Sequence, residues 1–177
     1  MAVLATRKII LRRLTESDKP ALAQLINNKK VCDNLRDIVP YPYTIDDATN
    51  FFNFIKDEEP QLSFAIEYDG SFCGMIGLRP DADVHRKTVE IGYWIGEPFW
   101  DKGIGTEVVR LVTDYAFYQL KFARIHTGVF EYNKGSMRVL EKNGYKKDGI
   151  FENSVFKNGK LWDEHRYSKI NNTFYLE

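Results

Sequence analysis

Two cysteines in 177 residues, Cys32 and Cys73, provide no disulfide framework and show no metal-ligand spacing. Both read as small residues of the core or surface rather than as redox groups. Net charge is lacking as well: Lys plus Arg and Asp plus Glu number 25 each, which excludes the overall field that draws a protein to nucleic acid or anionic lipid. No run approaches the roughly 18 apolar residues of a membrane helix, and Met1 to Arg7 lacks the apolar centre of a signal peptide. The expectation is a cytoplasmic protein with no nucleic-acid or membrane partner, acting as a monomer or homodimer. Repeats, linkers and low-complexity tracts are absent too. What is present, 44% hydrophobic and 14% aromatic residues, suits one globular domain over residues 1–177 with a substantial core.

Lys8 to Leu14 reads as a first strand, and Thr15-Glu-Ser-Asp18 as a capped helix start leading to about Asn28. Residues 31–38 suggest a short second helix, and Pro40-Tyr-Pro-Tyr43 an extended loop, because each proline drives its predecessor out of the helical region. Thr44 and Asp47 have capping-box spacing ahead of a helix expected to bury Phe51, Phe52, Phe54 and Ile55. Strands follow at 62–68 and 72–78 around Asp69-Gly70, a hairpin signal, and Asp81 to Arg86 is a polar connection. After residues 88–117, Arg124 to Phe130 reads as a strand and Asn133 to Asn143 as a helix closed by Gly144. The tail to Ile170 reads as strands hinged at Asn158-Gly159. This order predicts an α/β fold of the α+β kind, a mixed sheet with helices on both faces.

The chain is organised around Glu90-Ile-Gly-Tyr-Trp-Ile-Gly-Glu-Pro-Phe-Trp-Asp-Lys-Gly-Ile-Gly-Thr-Glu-Val-Val-Arg-Leu-Val-Thr-Asp-Tyr-Ala-Phe117. Residues 88–95 are β-branched and aromatic, suiting a strand covered on both faces. From Thr106 the apolar residues recur at helical spacing. Between them, Gly103-Ile104-Gly105 lets backbone approach a ligand, and the helix start offers unpaired N–H groups and the positive end of its dipole to a phosphate. A Walker A loop is excluded because Lys102 precedes the glycines, and a dinucleotide fingerprint is weak because Val108 stands where a third small residue belongs.

The same run resembles the central strand, pyrophosphate loop and helix of the GNAT acetyltransferases, especially the Rim-type branch that includes ribosomal-protein N-terminal acetyltransferases. A second segment, Asn133-Lys-Gly-Ser-Met-Arg-Val-Leu-Glu-Lys-Asn-Gly-Tyr145, resembles the helix that ends that family's core. Asn133 and Ser136 also suit a plain capping role. The resemblance spans roughly residues 62–169. It implies two central parallel strands, 88–95 and 124–130, that splay to admit the pantetheine arm of acetyl-CoA. It further implies pantetheine contacts at Trp94 and Ile95, and a pyrophosphate seat formed by Trp100, Asp101, Lys102, Gly103, Ile104, Gly105 and Thr106, with Asn133 and Ser136 near the cosubstrate. Acetyl transfer would then go by direct attack of a neutral amine on the thioester, a backbone N–H near Ile95 steadying the oxyanion. Trp100 stands where many members carry Gln or Arg, and Leu140 where many carry a Tyr acid. Ser136 is therefore the candidate donor to the departing sulfur.

Glu90, at the start of the central strand, is the first candidate base, acting through water. A structural pairing with Arg79 or Arg86 is its alternative role. His85, Glu152 and Asp163 are further candidates. An α-amine near pKa 8 is appreciably neutral at pH 7, whereas a lysine is neutral in only about one molecule in a few thousand. A chain without an obvious strong base therefore suits a protein N-terminus, ribosomal among the options, or a small low-pKa amine. Acetyl-CoA is the expected cosubstrate, with no metal. A noncatalytic acyl-CoA-binding module and, further off, a nucleotide-binding protein are the competing readings.

Overall fold

The computed structural model describes residues 4–174. Its strands are β1 (Leu4–Ala5), β2 (Ile9–Arg12), β3 (Ser63–Tyr68), β4 (Ser71–Pro80), β5 (Thr88–Ile95), β6 (Arg124–Phe130), β7 (Lys146–Lys157) and β8 (Lys160–Ile170). Its α-helices are α1 (Lys19–Ile26), α2 (Lys29–Cys32), α3 (Ile45–Ile55), α4 (Ile104–Asp114) and α5 (Lys134–Lys142). The strands form one mixed sheet in the order β1-β2-β3-β4-β5-β6-β8-β7. β5 and β6 run parallel, and β2–β3, β3–β4, β6–β8 and β7–β8 run antiparallel.

The chain divides into two compact units, Met1–Gly77 with Tyr93–Ile104, and Leu78–Gly92 with Gly105–Glu177. In the first, Leu22, Ala23 and Ile26 of α1, Ala48 and Ile55 of α3, and Ala65, Phe72 and Met75 of the strands share one core. Arg12 reaches from β2 to Asp18 at 2.7 Å and to Glu67 at 2.7 Å. The expected caps are both present: Asp18 accepts from Thr15 N at 2.8 Å, and Thr44 Oγ1 accepts from Asp47 N at 3.1 Å. In the second unit, β6 alternates strictly, with Ile125, Thr127 and Val129 buried and Arg124, His126, Gly128 and Phe130 on the other face. Val108, Val109 and Val112 of α4 and Met137 and Leu140 of α5 are buried. Thr113 and Tyr145 hydroxyls meet at 2.8 Å.

Several expectations are corrected. The first strand is shorter than residues 8–14 and has a neighbour, β1. The 31–38 helix reduces to α2, one turn starting at Lys29 under the Asn28 cap. Phe54 is 81% exposed, because the face that Ala48 and Ile55 bury turns position 54 outward. Helix α4 begins at Ile104 rather than Thr106, directly after Gly103 with φ 77°. β5 is not covered along its whole length, since Gly92 is exposed. Both hairpin turns hold: Asp69 and Gly70, then Asn158 and Gly159, carry positive φ in pairs, the I′ signature. Cys32 and Cys73 are buried, and burial pushes the Cys73 thiol up to about 12, an inert group. Among the described residues no helix is long and apolar enough to cross a membrane.

Asp18 yields a pH test. Burial opposes its ionisation, but hydrogen bonds from Arg12 and Thr15 outweigh that and hold the carboxyl below its ordinary 3.8. A depressed folded-state pKa contributes stability above the unfolded value and loses it as pH falls through the folded one. Asp18→Asn should therefore be least stable relative to the parent near pH 7. Urea midpoints taken from pH 7 to pH 3 should show that gap narrowing below about pH 4.

Candidate functional site

β5 ends at Ile95, and the chain turns through Gly96 to Gly103 before α4. Gly96 N donates to Cys73 O at 2.8 Å, tying the strand end back to β4. At that point the two backbones nearly touch: a Cβ on Gly74 would stand 2.2 Å from Trp94 O and 3.0 Å from Ile95 Cα. Only glycine permits this approach. Trp94 packs its ring edge-on to Phe72, centroids 6.3 Å apart, which anchors the side chain beside this approach. Trp100, the departure from the family pattern, donates its indole N–H to Ile95 O at 2.7 Å.

Asp101, Lys102 and Gly103 are exposed, and Asp101 and Gly103 both adopt positive φ, 59° and 77°. Alternating left-handed residues of this kind turn successive amides into one concavity, a nest for anions. Ile104 and Gly105 are buried and open the eleven-residue α4, whose first-turn amides lack intrahelical acceptors. Nothing stands within 4 Å of a Cβ at Gly103, so the turn is open on that side. Lys102 lays its ammonium over the Phe99 and Tyr68 rings, 5.2 and 5.9 Å from their centroids. The turn therefore leaves these amides open to an anion.

In the second unit, Asn133 caps α5, its Oδ1 accepting from Ser136 N at 3.1 Å, so these two expected residues are brought together. Asn143 Nδ2 donates to Thr106 O at 3.0 Å, fixing the start of α4 to the end of α5. Glu90 is 8% exposed and ion-paired with Arg79, whose guanidinium is mostly in solvent. The structural pairing considered for Glu90 thus exists, with Arg79. The β5–β6 register covers Thr88, Val89 and Glu90 against Arg124, Ile125 and His126, the first three residues of each strand. Glu90 and His126 are the last of these pairs.

The other base candidates stand apart. His85 is exposed in a 3-10 turn, Glu152 is exposed on β7, and Asp163 Oδ1 accepts from Asn153 N at 2.9 Å in the hairpin. Sequence reasoning missed His126. Its Nε2 lies 3.0 Å from Asp81 and its Nδ1 3.1 Å from Arg166 Nη2. Because Arg166 must donate, Nδ1 accepts and Nε2–H donates to Asp81, which fixes a neutral tautomer. The alternation of Arg-Ile-His-Thr-Gly-Val-Phe was the signal that placed His126 on the open face. Among the described residues no group of three or more His, Cys, Asp or Glu side chains is placed to hold a metal.

Residues 8–146 match a family model described as an acetyltransferase (GNAT) domain. A probable N-acetyltransferase, YjcK, of Bacillus subtilis is 43% identical over 66% of this chain and 64% of its own length. A putative ribosomal N-acetyltransferase, YdaF, of the same organism is 40% identical over 58% of this chain and 56% of its own. The chain thus spans under two thirds of either relative in these matches. A solved structure of RimL, a ribosomal L7/L12 α-N-protein acetyltransferase with coenzyme A, superposes with TM-score 0.84 over 96% of this chain and 98% of that one, at 20% identity. That likeness bears on fold.

The Gly74 approach can be tested directly. Gly74→Ala should cost about 1–3 kcal/mol in urea unfolding, because the strands must part. Gly92→Ala, where nothing lies within 4 Å of the added Cβ, should fall within about 0.5 kcal/mol of the parent. Equal stability of the two variants would contradict the contact.

Proposed function

We propose that this chain, which belongs to the GNAT acetyltransferase family, takes acetyl-CoA as its cosubstrate and that residues 1–177 act as one catalytic domain acetylating a primary α-amine, such as a protein N-terminus, or a small amine of low pKa. The observation that carries the reading is the exposed turn at Asp101–Gly103, with its two positive-φ residues feeding the start of α4. In this proposal its amides, with those of Ile104, Gly105 and Thr106, hold the diphosphate. The backbone of Trp94 and Ile95, beyond the point where the β5–β6 register ends, pairs with the pantetheine arm, and an N–H near Ile95 steadies the charge that develops on the acyl oxygen. Trp100 contributes by holding the Ile95 carbonyl.

Glu90 is the proposed base. Its buried carboxylate, kept in place by Arg79, withdraws the amine proton through water. Ser136, positioned by the Asn133 cap, donates a hydrogen bond to the departing sulfur. A thiolate is a fair leaving group, so this contribution is smaller than the base's. The ribosomal label of YdaF supports a protein N-terminus as acceptor. The preference for an α-amine over lysine follows from the larger neutral fraction of the former at pH 7.

Purified protein incubated with acetyl-CoA, peptides of varied N-terminal residue and a panel of small amines should release CoA, faster as pH rises from 6.5 to 8. Glu90→Gln should lower turnover about 100-fold at pH 7, within the usual range for a general base. Ser136→Ala should lower it less, and both should bind CoA as the parent does by calorimetry. Absence of CoA release from every acceptor, or loss of CoA affinity in Glu90→Gln, would refute the assignment.

A further inference from the structure

One cavity in the second unit, of about 260 Å³, is lined by Arg124, His126, Asp148, Gly149, Phe151 and Arg166. It opens on the sheet face that carries Glu90. In a parallel ladder, register partners project to the same side, and Glu90 and His126 are partners. Each polar side chain of its wall is fixed. Arg166 Nη1 donates to Glu164 at 2.9 Å, its Nη2 donates to His126 Nδ1 at 3.1 Å, and its guanidinium stacks over the Phe151 ring, 5.4 Å from the centroid. Arg124 Nη2 donates to Asp148 at 2.6 Å, and Asp148 also accepts from Ser168 Oγ at 2.8 Å.

A guanidinium carries five N–H donors. Among the described residues, Arg124 spends one on a partner and Arg166 two. The remaining donors belong to two planar cations on the wall of one cavity, each already paired with one carboxylate, Arg124 with Asp148 and Arg166 with Glu164. His126 is neutral in its tautomer and adds no charge. A planar cation held over an aromatic ring with donors to spare is preorganised for a two-oxygen anion. We propose that this cavity is a subsite for a carboxylate on the acceptor, with Arg166 and Arg124 as the recognising groups. The proposal rests on the assignment of Glu90 as base, which makes its sheet face the acceptor's side.

Position sets the length of the acceptor. β5 and β8 flank β6, so Arg166 lies about 10 Å from the strand of Glu90 at ordinary strand spacing. An amine near Glu90 and a carboxylate at Arg166 are then separated by several bonds. An α-amino acid is too short. A peptide with an acidic side chain near its N-terminus, or a small ω-amino acid, has the span.

Two arms distinguish those sources: peptides with Asp or Glu at the second or third position against their Asn or Gln counterparts, and 6-aminohexanoate against its amide. In at least one arm the carboxylate form should show a KM lower by about tenfold, the scale of one charge-assisted contact. Arg166→Gln and Arg124→Gln should each bring that ratio toward one without changing the KM for acetyl-CoA, with unfolding midpoints confirming the fold. Equal KM for acid and amide in both arms overturns the proposal, as does a lower KM for a polyamine or a rise in both KM values alike in both variants. Transfer without such preference defeats the subsite alone, whereas no transfer to any amine defeats the base assignment with it.

Discussion

The last rung of the parallel ladder, Glu90 beside His126, is the constraint on which the rest depends. Two strands running the same way cannot be joined by a tight turn, so the chain must cross over through a helix. That helix is α4, pinned by the buried Val108, Val109 and Val112. Its first turn consequently follows the carboxyl end of β5, where open sheets place their ligands. The positive-φ residues Asp101 and Gly103 make the reversal possible and aim the amides outward. The open turn is thus a consequence of parallel pairing, and Gly103 at positive φ is what the backbone reversal requires.

The same rung sets the electrostatics of the face. Glu90 is buried, and a buried carboxylate without a partner would be costly. Arg79 supplies the partner from the solvent side, so the charge is compensated while its own guanidinium stays hydrated. One strand over, Asp81 and Arg166 hold His126 from opposite ring nitrogens. A row of polar side chains, Arg79, Glu90, His126 and Arg166, therefore runs across β4, β5, β6 and β8 on one face. The opposite face of β6 is buried, with Ile125, Thr127 and Val129. A buried carboxylate and an open cavity can share the polar face because the core lies on the other side.

Local patterns were legible where local physics decides. Residues 88–95 and 124–130 are strands with those bounds, the first a near-continuous β-branched and aromatic run bounded by Gly and Pro, the second an alternation of buried and open positions. The two I′ turns and both capping boxes were legible for the same reason. Phe54 was misread because four apolar residues in one helical turn cannot all face inward, and only packing chooses among them. β1 was missed because two residues carry no period. The role of His126 was invisible in the sequence, since Asp81 and Arg166 lie 45 and 40 positions away and meet it only once β8 pairs with β6.

Gly128 shows how far this long-range assembly extends. It pairs with Arg166, and a Cβ there would stand 2.2 Å from Glu164 Oε1 and 2.9 Å from Arg166 Nη1. The Glu164–Arg166 ion pair therefore lies flat across β6 in the space a side chain would fill. Without that space the guanidinium would be lifted from the sheet, losing either His126 or the Phe151 ring. A glycine in the middle of a strand costs stability, and in β6 the void it leaves is occupied by the charged pair that orients Arg166. The strand gives up side-chain packing at one position, and the face gains a guanidinium fixed by a carboxylate, an imidazole and an aromatic ring at once.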